Sequence, residues 1–200
     1  SDYNFVEFAD VIIIALPTPL KNNLAPDLSH IKSCVQKIKK YLKKGQLISF
    51  ESTTYPGTTE EIILPMLKKN KFNISQDFFL AYSPERISPE LKVKNNKIIY
   101  KLDNTPKICS GYSIQCNLLA IQLYKKITIK VVSASSLKIA EATKMIENVF
   151  RSINIGLVNE LKMFFNKINL DINEVLDLAD TKPFGFTKFV PGPGYGGHCI

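Results

Sequence analysis

The chain has 200 residues, of which 45% are hydrophobic and 22% charged, enough for one large packed domain or one domain and part of another. No apolar run reaches the roughly 18 residues that a transmembrane helix needs, so the composition argues against a membrane protein. The net charge of +8 comes mostly from lysines that alternate with apolar residues at helical spacing. We therefore interpret these lysines as solvated helix faces and not as a nucleic-acid-binding surface.

The cysteines and histidines show no spacing typical of a metal site. The 4 cysteines lie far apart without a CxxC pair, and only 2 histidines accompany them, so we expect no metal. Unclustered cysteines without a secretion signal indicate a reducing, cytoplasmic location. Because the sequence begins at Ser1 without an initiator Met or a signal peptide, we expect it to be a segment of a longer protein.

The first predicted element is a strand. Residues 11–16 are wholly apolar and are followed by Pro17-Thr18-Pro19, which predicts a strand buried on both faces, as in a parallel sheet. A helix with an apolar stripe follows from Leu28, with Asp27 as its predicted N-cap, and Gly45 ends it.

Strands and helices then alternate up to about residue 133. Thr58 and Glu61 predict a capping box that opens a helix kinked by Pro65, and residues 113–125 predict a further helix. Residues 88–104 form an irregular insertion. The other predicted strands are short apolar runs: residues 46–50, 77–82, 106–111 and 128–132. This alternation predicts an α/β domain with a parallel sheet over residues 1–133.

From Ser135 the sequence predicts one long helix of about 30 residues, which opens a second, helical domain over residues 134–200. Its apolar residues follow one stripe. Lys144, Asn148 and Arg151 form a second stripe, within about 60° of each other around the helix axis. Spacing alone leaves open whether these three residues face a ligand or water.

Chemistry is expected at the carboxyl ends of the strands, where parallel sheets bind ligands. Threonines 18, 53 and 54 and Glu85 follow three of those ends. At the end of the sequence, Pro191-Gly192-Pro193-Gly194-Tyr195-Gly196-Gly197-His198-Cys199 places a cysteine behind a glycine-rich loop, whose backbone N–H groups could hold phosphate or lower a thiol pKa. Cys199 is therefore a candidate nucleophile.

Several motifs together resemble the UDP-glucose/GDP-mannose dehydrogenase family, most closely its UDP-N-acetylhexosamine branch. They occur in order along nearly the whole chain: LPTPL at 16–20, PDLS at 26–29, ESTTYPGTTEE at 51–61, SPER at 83–86, KMIENVFRSINI at 144–155, KPFGF at 182–186 and PGPGYGGHCI at 191–200. The resemblance implies a Rossmann-like sheet that is the second half of the dinucleotide domain. A long connecting helix, implied to mediate a homodimer, and a helical central domain would follow.

The resemblance also implies an activity and the residues that carry it. Two NAD molecules would oxidise the sugar C6 alcohol to a carboxylate through a thiohemiacetal and a thioester on Cys199. Lys144 and Asn148 would stabilise the oxyanion, Glu85 would act in general-base chemistry with Thr54 positioning a water, and Thr18 and Thr53 would contact NAD. The backbone around Phe189, Gly194, Tyr195 and Gly196 would hold the UDP-sugar, with Arg86 and Arg151 assisting.

The sequence also departs from the family pattern. It contains no GxGxxG, no aspartate after Cys199 and no C-terminal domain, so we expect residues 1–200 alone to bind NAD weakly and to turn over little. Ser88-Pro89-Glu90 replaces the usual Asn-Pro-Gly turn after Arg86.

The sequence also leaves alternative functions open. They are a UDP-glucose 6-dehydrogenase, a Cys199–His198 hydrolase or acyltransferase, and a non-catalytic interaction or nucleic-acid-binding module.

Overall fold

The structure is a computed structural model that describes residues 2–68, 72–87, 93–94, 97–98 and 103–194. The chain divides into two compact units, Ser1–Met145 and Ile146–Ile200. The strands of the first unit are β1 (Val11–Ile14), β2 (Leu47–Phe50), β3 (Phe79–Tyr82), β4 (Val93–Lys94), β5 (Lys97–Ile98), β6 (Lys107–Gly111) and β7 (Val131–Ser133). The helices are a 3-10 helix (Tyr3–Phe8), α1 (Ser29–Tyr41), a π-helix (Thr58–Ile63), α2 (Leu64–Leu67), α3 (Ile114–Tyr124), α4 (Leu137–Lys167) and α5 (Ile172–Asp180).

Five strands form one sheet in the order β1-β2-β3-β6-β7, and β4 and β5 pair separately. The β1–β2, β2–β3 and β6–β7 pairs are parallel, which confirms the predicted α/β class. The predicted sheet is mostly parallel, with one antiparallel pair, in which β6 runs antiparallel to β3. Parallel neighbours need a crossover, usually a helix, whereas the described residues between β3 and β6 contain none.

Side chains alternate between the two faces of the sheet and build a core on each. Ile48, Phe50 and Leu80 lie on one face with the apolar stripe of α1, which comprises Ile31, Val35 and Ile38. The other face packs Leu47, Ala81 and Cys109 against Ala120 and Tyr124 of α3. Full burial of one such aliphatic side chain contributes about 1.5–3 kcal/mol, so these helices are held by the sheet and not by their propensity alone.

Two local predictions near the start of the chain need correction. Within residues 1–200, strand β1 is not buried on both faces, because Ile13 is 49% exposed. Asp27 is not the N-cap of α1, because Leu28 holds that position. The Asp27 carboxylate accepts a hydrogen bond from the Ser29 N–H at 2.9 Å, but it does so from one residue before the N-cap.

The predicted capping box at Thr58 and Glu61 is also wrong. Residues Thr58–Ile63 form a π-helix whose N-cap is Gly57, a residue in the left-handed conformation with φ of 100°. The Thr58 hydroxyl donates to the Tyr55 carbonyl, and Glu61 forms an ion pair with Lys138 at 2.6 Å. Pro65 lies in the first turn of α2, directly after the change from π- to α-helix.

The second unit is helical. The predicted long helix is confirmed as α4, of 31 residues. Within this unit, Val158 of α4 packs against Ile172 and Leu176 of α5, and Phe189 joins the edge of that cluster. In the part of the chain that the structure describes, no helix is long and apolar enough to cross a membrane.

Candidate functional site

The loops that follow β1 and β2 meet at the carboxyl edge of the sheet. The Ser52 hydroxyl accepts a hydrogen bond from the Leu16 N–H at 2.8 Å, and the Thr18 hydroxyl donates to the Thr53 carbonyl at 2.7 Å. The two residues predicted to contact NAD therefore touch each other. The Thr53 side chain is exposed and Thr18 is half-buried, so both lie at the surface of this edge.

Thr54, predicted to position a water, is buried next to Thr58. Their hydroxyl oxygens lie 2.6 Å apart, and the Thr58 hydroxyl donates to the Tyr55 carbonyl at 2.8 Å. Because Thr58 has only one hydroxyl proton, Thr54 is the donor in the pair. The Thr54 oxygen can then only accept a further hydrogen bond, as it would from a water molecule.

A buried carboxylate that the sequence analysis missed anchors this same loop. Glu141 of α4 is fully buried and accepts hydrogen bonds from the Gly57 N–H at 2.6 Å, the Thr59 N–H at 2.9 Å and the Thr59 hydroxyl at 2.6 Å. Burial raises the pKa of Glu141 even though these three donors act in the opposite direction. The available signal was the position of Glu141 four residues after Leu137, which places it on the same buried face of the helix. A glutamate on a buried face needs hydrogen-bond partners, since Glu rarely occurs buried without them.

Glu85, at the carboxyl end of β3, belongs to a second network that the sequence analysis missed. Its carboxylate lies 3.2 Å from the Lys107 ammonium, which also lies 2.8 Å from Glu51. The other Glu51 oxygen accepts a hydrogen bond from the Tyr124 hydroxyl at 2.5 Å. The Tyr124 hydroxyl also lies 2.6 Å from the Ser49 hydroxyl. A lysine opening the otherwise uncharged strand β6 was the signal for this network.

The surroundings of Glu85 keep its carboxylate ionised. Partial burial acts to raise the pKa, but the Ile87 N–H, the Lys107 ammonium and the Arg86 N–H together lower the pKa of Glu85 below its usual value. A carboxylate with a lowered pKa is a weaker base, but it stays ionised, and so able to accept hydrogen bonds, at lower pH.

Arg86, predicted to assist substrate binding, contacts the protein itself. Its guanidinium donates to the Pro106 carbonyl at 2.8 Å, which ties the loop after β3 to the residue before β6. This contact fixes the loop that carries Glu85.

The remaining predicted residues divide between α4 and the end of the chain. Lys144 and Asn148 are half-buried positions of α4, and Arg151 is exposed. The Phe189 ring packs edge-on against Phe150 with centroids 5.8 Å apart, and Gly194 has a left-handed backbone with φ of 93°. Three predicted site residues lie outside the described residues: Tyr195, Gly196 and Cys199.

The described cysteines are free thiols, and Cys109 among them is not a candidate for the nucleophile. They are Cys34, Cys109 and Cys116. Burial raises the pKa of Cys109 to about 11, so its thiol stays protonated at neutral pH. Among the residues that the structure describes, no cluster of three or more potential ligands could hold a metal ion.

The carboxyl edge fits part of a dinucleotide. The exposed Thr53 and the half-buried Thr18 offer uncharged polar groups, which suit ribose hydroxyls and a carboxamide. A dinucleotide pyrophosphate usually binds a glycine-rich turn at a helix N-terminus, and residues 1–200 contain no GxGxxG. The residues present therefore fit one half of NAD.

Comparison with known proteins agrees with this fold. Residues 1–128 match the NAD binding domain of the UDP-glucose/GDP-mannose dehydrogenase family, and residues 138–200 match its central domain. The UDP-N-acetyl-D-glucosamine 6-dehydrogenase of Pseudomonas aeruginosa is 42% identical over 193 residues, covering 96% of this chain and 44% of that protein. The UDP-N-acetyl-D-mannosamine dehydrogenase of Campylobacter jejuni is 36% identical, covering 97% of this chain and 48% of that protein.

Among solved structures, the UDP-D-ManNAc dehydrogenase of Pyrococcus horikoshii aligns with a TM-score of 0.86 and 30% identity, over 100% of this chain and 46% of that one. The chain thus spans less than half the length of these relatives. It carries an NAD-binding domain, so NAD is its cofactor. From the two ordered domain matches and these relatives, we conclude that the chain belongs to the UDP-glucose/GDP-mannose dehydrogenase family.

Proposed function

We propose that the chain is part of an NAD-dependent nucleotide-sugar 6-dehydrogenase that oxidises the C6 alcohol of a UDP-N-acetylhexosamine to the uronic acid. One observation carries the proposal: both domain matches occur in order, and the relatives above 35% identity that are named as dehydrogenases act on UDP-N-acetylhexosamines by name. The meeting of Thr18, Thr53, Thr54 and Glu85 at one sheet edge supports it.

The reaction removes two hydrides and needs one covalent intermediate. The alcohol loses a hydride and a proton to give the aldehyde, and NAD supplies the hydride acceptor. The Cys199 thiolate then adds to the aldehyde carbon and the oxygen gains a proton, which gives a thiohemiacetal. Loss of a second hydride and a proton leaves a thioester, and water breaks its C–S bond to release the carboxylate and the thiol. A thiolate suits these steps because it is both a good nucleophile and a good leaving group.

The residues of this chain would act around that carbon. Lys144 and Asn148, one helical turn apart in α4, would stabilise the negative oxygen in the adduct. The Thr54 oxygen would accept a hydrogen bond from the attacking water, and ionised Glu85 would take up or orient its proton. The backbone from Phe189 to Gly196 and the side chain of Arg151 would hold the nucleotide sugar.

The substituent at C2 of the sugar is proposed to be acetamido. A GDP-mannose dehydrogenase and a UDP-glucose dehydrogenase share the fold at only 21% and 19% identity. Seven relatives at 31–42% identity have names that state a substrate, and each is named for an N-acetylated sugar. The UDP-glucose 6-dehydrogenase alternative is therefore the weaker one.

The test is a count of NADH formed per sugar by the protein as encoded, including any residues that flank residues 1–200. UDP-N-acetylglucosamine, its galacto and manno epimers, and UDP-glucose are supplied in turn. We expect two NADH per acetamido sugar and none above background from UDP-glucose, with the C199A variant unable to form the acid. No NADH from any nucleotide sugar, or one per sugar with the wild type, would contradict the proposal. Residues 1–200 alone, without GxGxxG, are expected to give little or none.

We further propose that α4 mediates a homodimer. Ile146 is 62% and Ile153 64% exposed, and Leu157 continues the same exposed apolar stripe. Such a stripe on a helix is typical of a protein–protein contact. Light scattering should show a dimer for the wild type and a monomer for I153E, whereas K162E, a charge change at an exposed position of the same helix, should remain dimeric. A dimeric I153E variant would argue against this interface.

The proposal also includes a domain boundary and a cellular location. We place the end of the NAD-binding domain at residue 133 and the start of the central domain at 134, in the gap between the family matches that end at 128 and begin at 138. The free thiols of the described cysteines are consistent with a cytoplasmic location, where thiols stay reduced.

A further inference from the structure

The Lys107 ammonium lies between two carboxylates. Its side chain is 7% exposed and it lies 2.8 Å from Glu51 and 3.2 Å from Glu85. It also lies 5.3 Å from the centroid of the Tyr124 ring, which covers it from a third side. One cation and two anions leave this cluster with a formal charge of −1.

The two carboxylates have different surroundings. The Glu51 side chain is 9% exposed, and both of its oxygens have protein donors, the Tyr124 hydroxyl at 2.5 Å and Lys107. The Glu85 side chain is 48% exposed, so it reaches the surface at the carboxyl end of β3. Glu51 can therefore serve only the interior of the protein, whereas Glu85 can contact a ligand.

This difference indicates what the Glu51–Lys107 pair does. An unpaired ammonium cannot be buried at low cost, so a lysine at the start of β6 needs Glu51 to remain charged. Once held, the ammonium donates to Glu85 Oε2, while Glu85 Oε1 accepts the N–H groups of Arg86 at 2.8 Å and Ile87 at 2.7 Å. Three donors on two oxygens fix the plane of the half-exposed Glu85 carboxylate and leave one acceptor site, on Oε2, for a ligand.

We infer that Lys107 is a positioning residue, held by Glu51, that orients the half-exposed Glu85 carboxylate toward the substrate or the attacking water. The inference rests on the proposed function, because it assigns Glu85 a role in that reaction. The alternative is that the pair only fastens β6 to the rest of the sheet.

The charged and titratable groups of this cluster, within the described residues, are Glu51 on the β2 loop, Lys107 and the Cys109 thiol on β6, Tyr124 on α3, and Glu85 and Arg86 on the β3 loop. Removal of the Lys107 charge should therefore make Glu85 easier to protonate. The acid limb of the kcat–pH profile should move up by about one pH unit.

The experiment compares four proteins as encoded: the wild type, K107M, the K107M/E51Q double variant and the control K138M. K107M buries Glu51 without its cation, whereas the double variant leaves no buried charge unpaired. Lys138 forms an ion pair with Glu61 that is half-exposed on both sides, so K138M removes a lysine ion pair at the surface. Thermal stability, kcat, KM for both substrates and the pH profile are measured for each.

A positioning role predicts a tenfold or greater loss of kcat in K107M with KM for NAD unchanged, and a double variant that regains stability but not kcat. K138M should match the wild type. Wild-type kcat in K107M, or recovery of both stability and kcat in the double variant, would overturn the inference. If K107M does not fold, the kcat of the double variant is compared with the wild type: a low kcat supports the positioning role, and a wild-type kcat overturns it. A double variant that also fails to fold overturns the inference in favour of a structural role. A wild type that yields no NADH contradicts the proposed function instead, so the two failures are distinguishable.

Discussion

The substitution E141A tests whether one buried carboxylate holds the loop that carries Thr53 and Thr54. The change leaves the Gly57 and Thr59 N–H groups without their acceptor, in a place where Glu141 itself is fully buried. An unsatisfied buried donor costs about 1–3 kcal/mol, so two cost about 2–6 kcal/mol. Removal of a buried charge offsets part of that cost, and we expect a net loss of about 2–4 kcal/mol.

Amide hydrogen exchange followed by mass spectrometry measures this loss locally. Since a tenfold change corresponds to about 1.4 kcal/mol, exchange at Gly57 and Thr59 should become roughly 30- to 900-fold faster. E141Q should show about half the effect in free energy, because a side-chain amide has one acceptor oxygen. Whichever way it is oriented, one of the two N–H groups loses its partner.

The matched control is E160A. Glu160 also lies on α4 but is exposed, so its removal should leave exchange in residues 52–61 unchanged. A folded E141A variant in which this segment exchanges at the wild-type rate would refute the reasoning, since the two N–H groups would then need no acceptor.

Three further predictions concern packing, pH and the buried network. G111A should lower stability by about 3 kcal/mol in a thermal unfolding assay, because the added Cβ would lie 2.1 Å from the Asn117 backbone nitrogen. G156A should raise stability by about 1 kcal/mol, because Gly156 lies in mid-helix and its added Cβ would meet no atom within 4 Å. Burial raises the pKa of Glu141, so the folded state favours its protonated form and this group's contribution to stability falls as pH rises from its usual pKa through the raised one. The stability difference between the wild type and E141Q should therefore change as the pH rises from the usual pKa of a glutamate through the raised pKa of Glu141, and stay flat above that, as measured by unfolding midpoints. Y124F should cost about 1.5–3 kcal/mol, because it removes the hydroxyl that donates to the buried Glu51, and an unchanged unfolding midpoint would contradict this.

The sequence predicted those parts of the fold that repeat over several residues. The apolar stripe of α1, the strand at β2 and the length of α4 each follow from a period that side-chain burial imposes. The meeting of Thr18 and Thr53 also followed, because adjacent parallel strands bring their carboxyl ends to one edge.

The direction of β6 and the two buried networks could not be predicted in this way. Glu141 finds its partners more than 80 residues away, and Lys107 contacts Glu51 across 56 residues of sequence. A single charged residue has no period, so the pattern shows that a partner is needed but not which residue supplies it. The capping box failed because Gly57, in the left-handed conformation, starts a π-turn whose N–H groups are satisfied from α4.

The wide turn at Thr58–Ile63 has a consequence for how this loop tolerates insertions and deletions. The Leu64 N–H reaches back five residues to the Thr59 carbonyl, so the segment contains one amino acid more than an ordinary α-turn would use. Deletion of one residue here would convert the π-turn into an ordinary α-turn. That change would rotate the start of the segment by about 100° and move both N–H groups away from the Glu141 carboxylate. The Glu141 side chain, on a different helix, thus stabilises the π-helix with its one extra residue. We therefore expect the length of this loop and the identity of residue 141 to change only together.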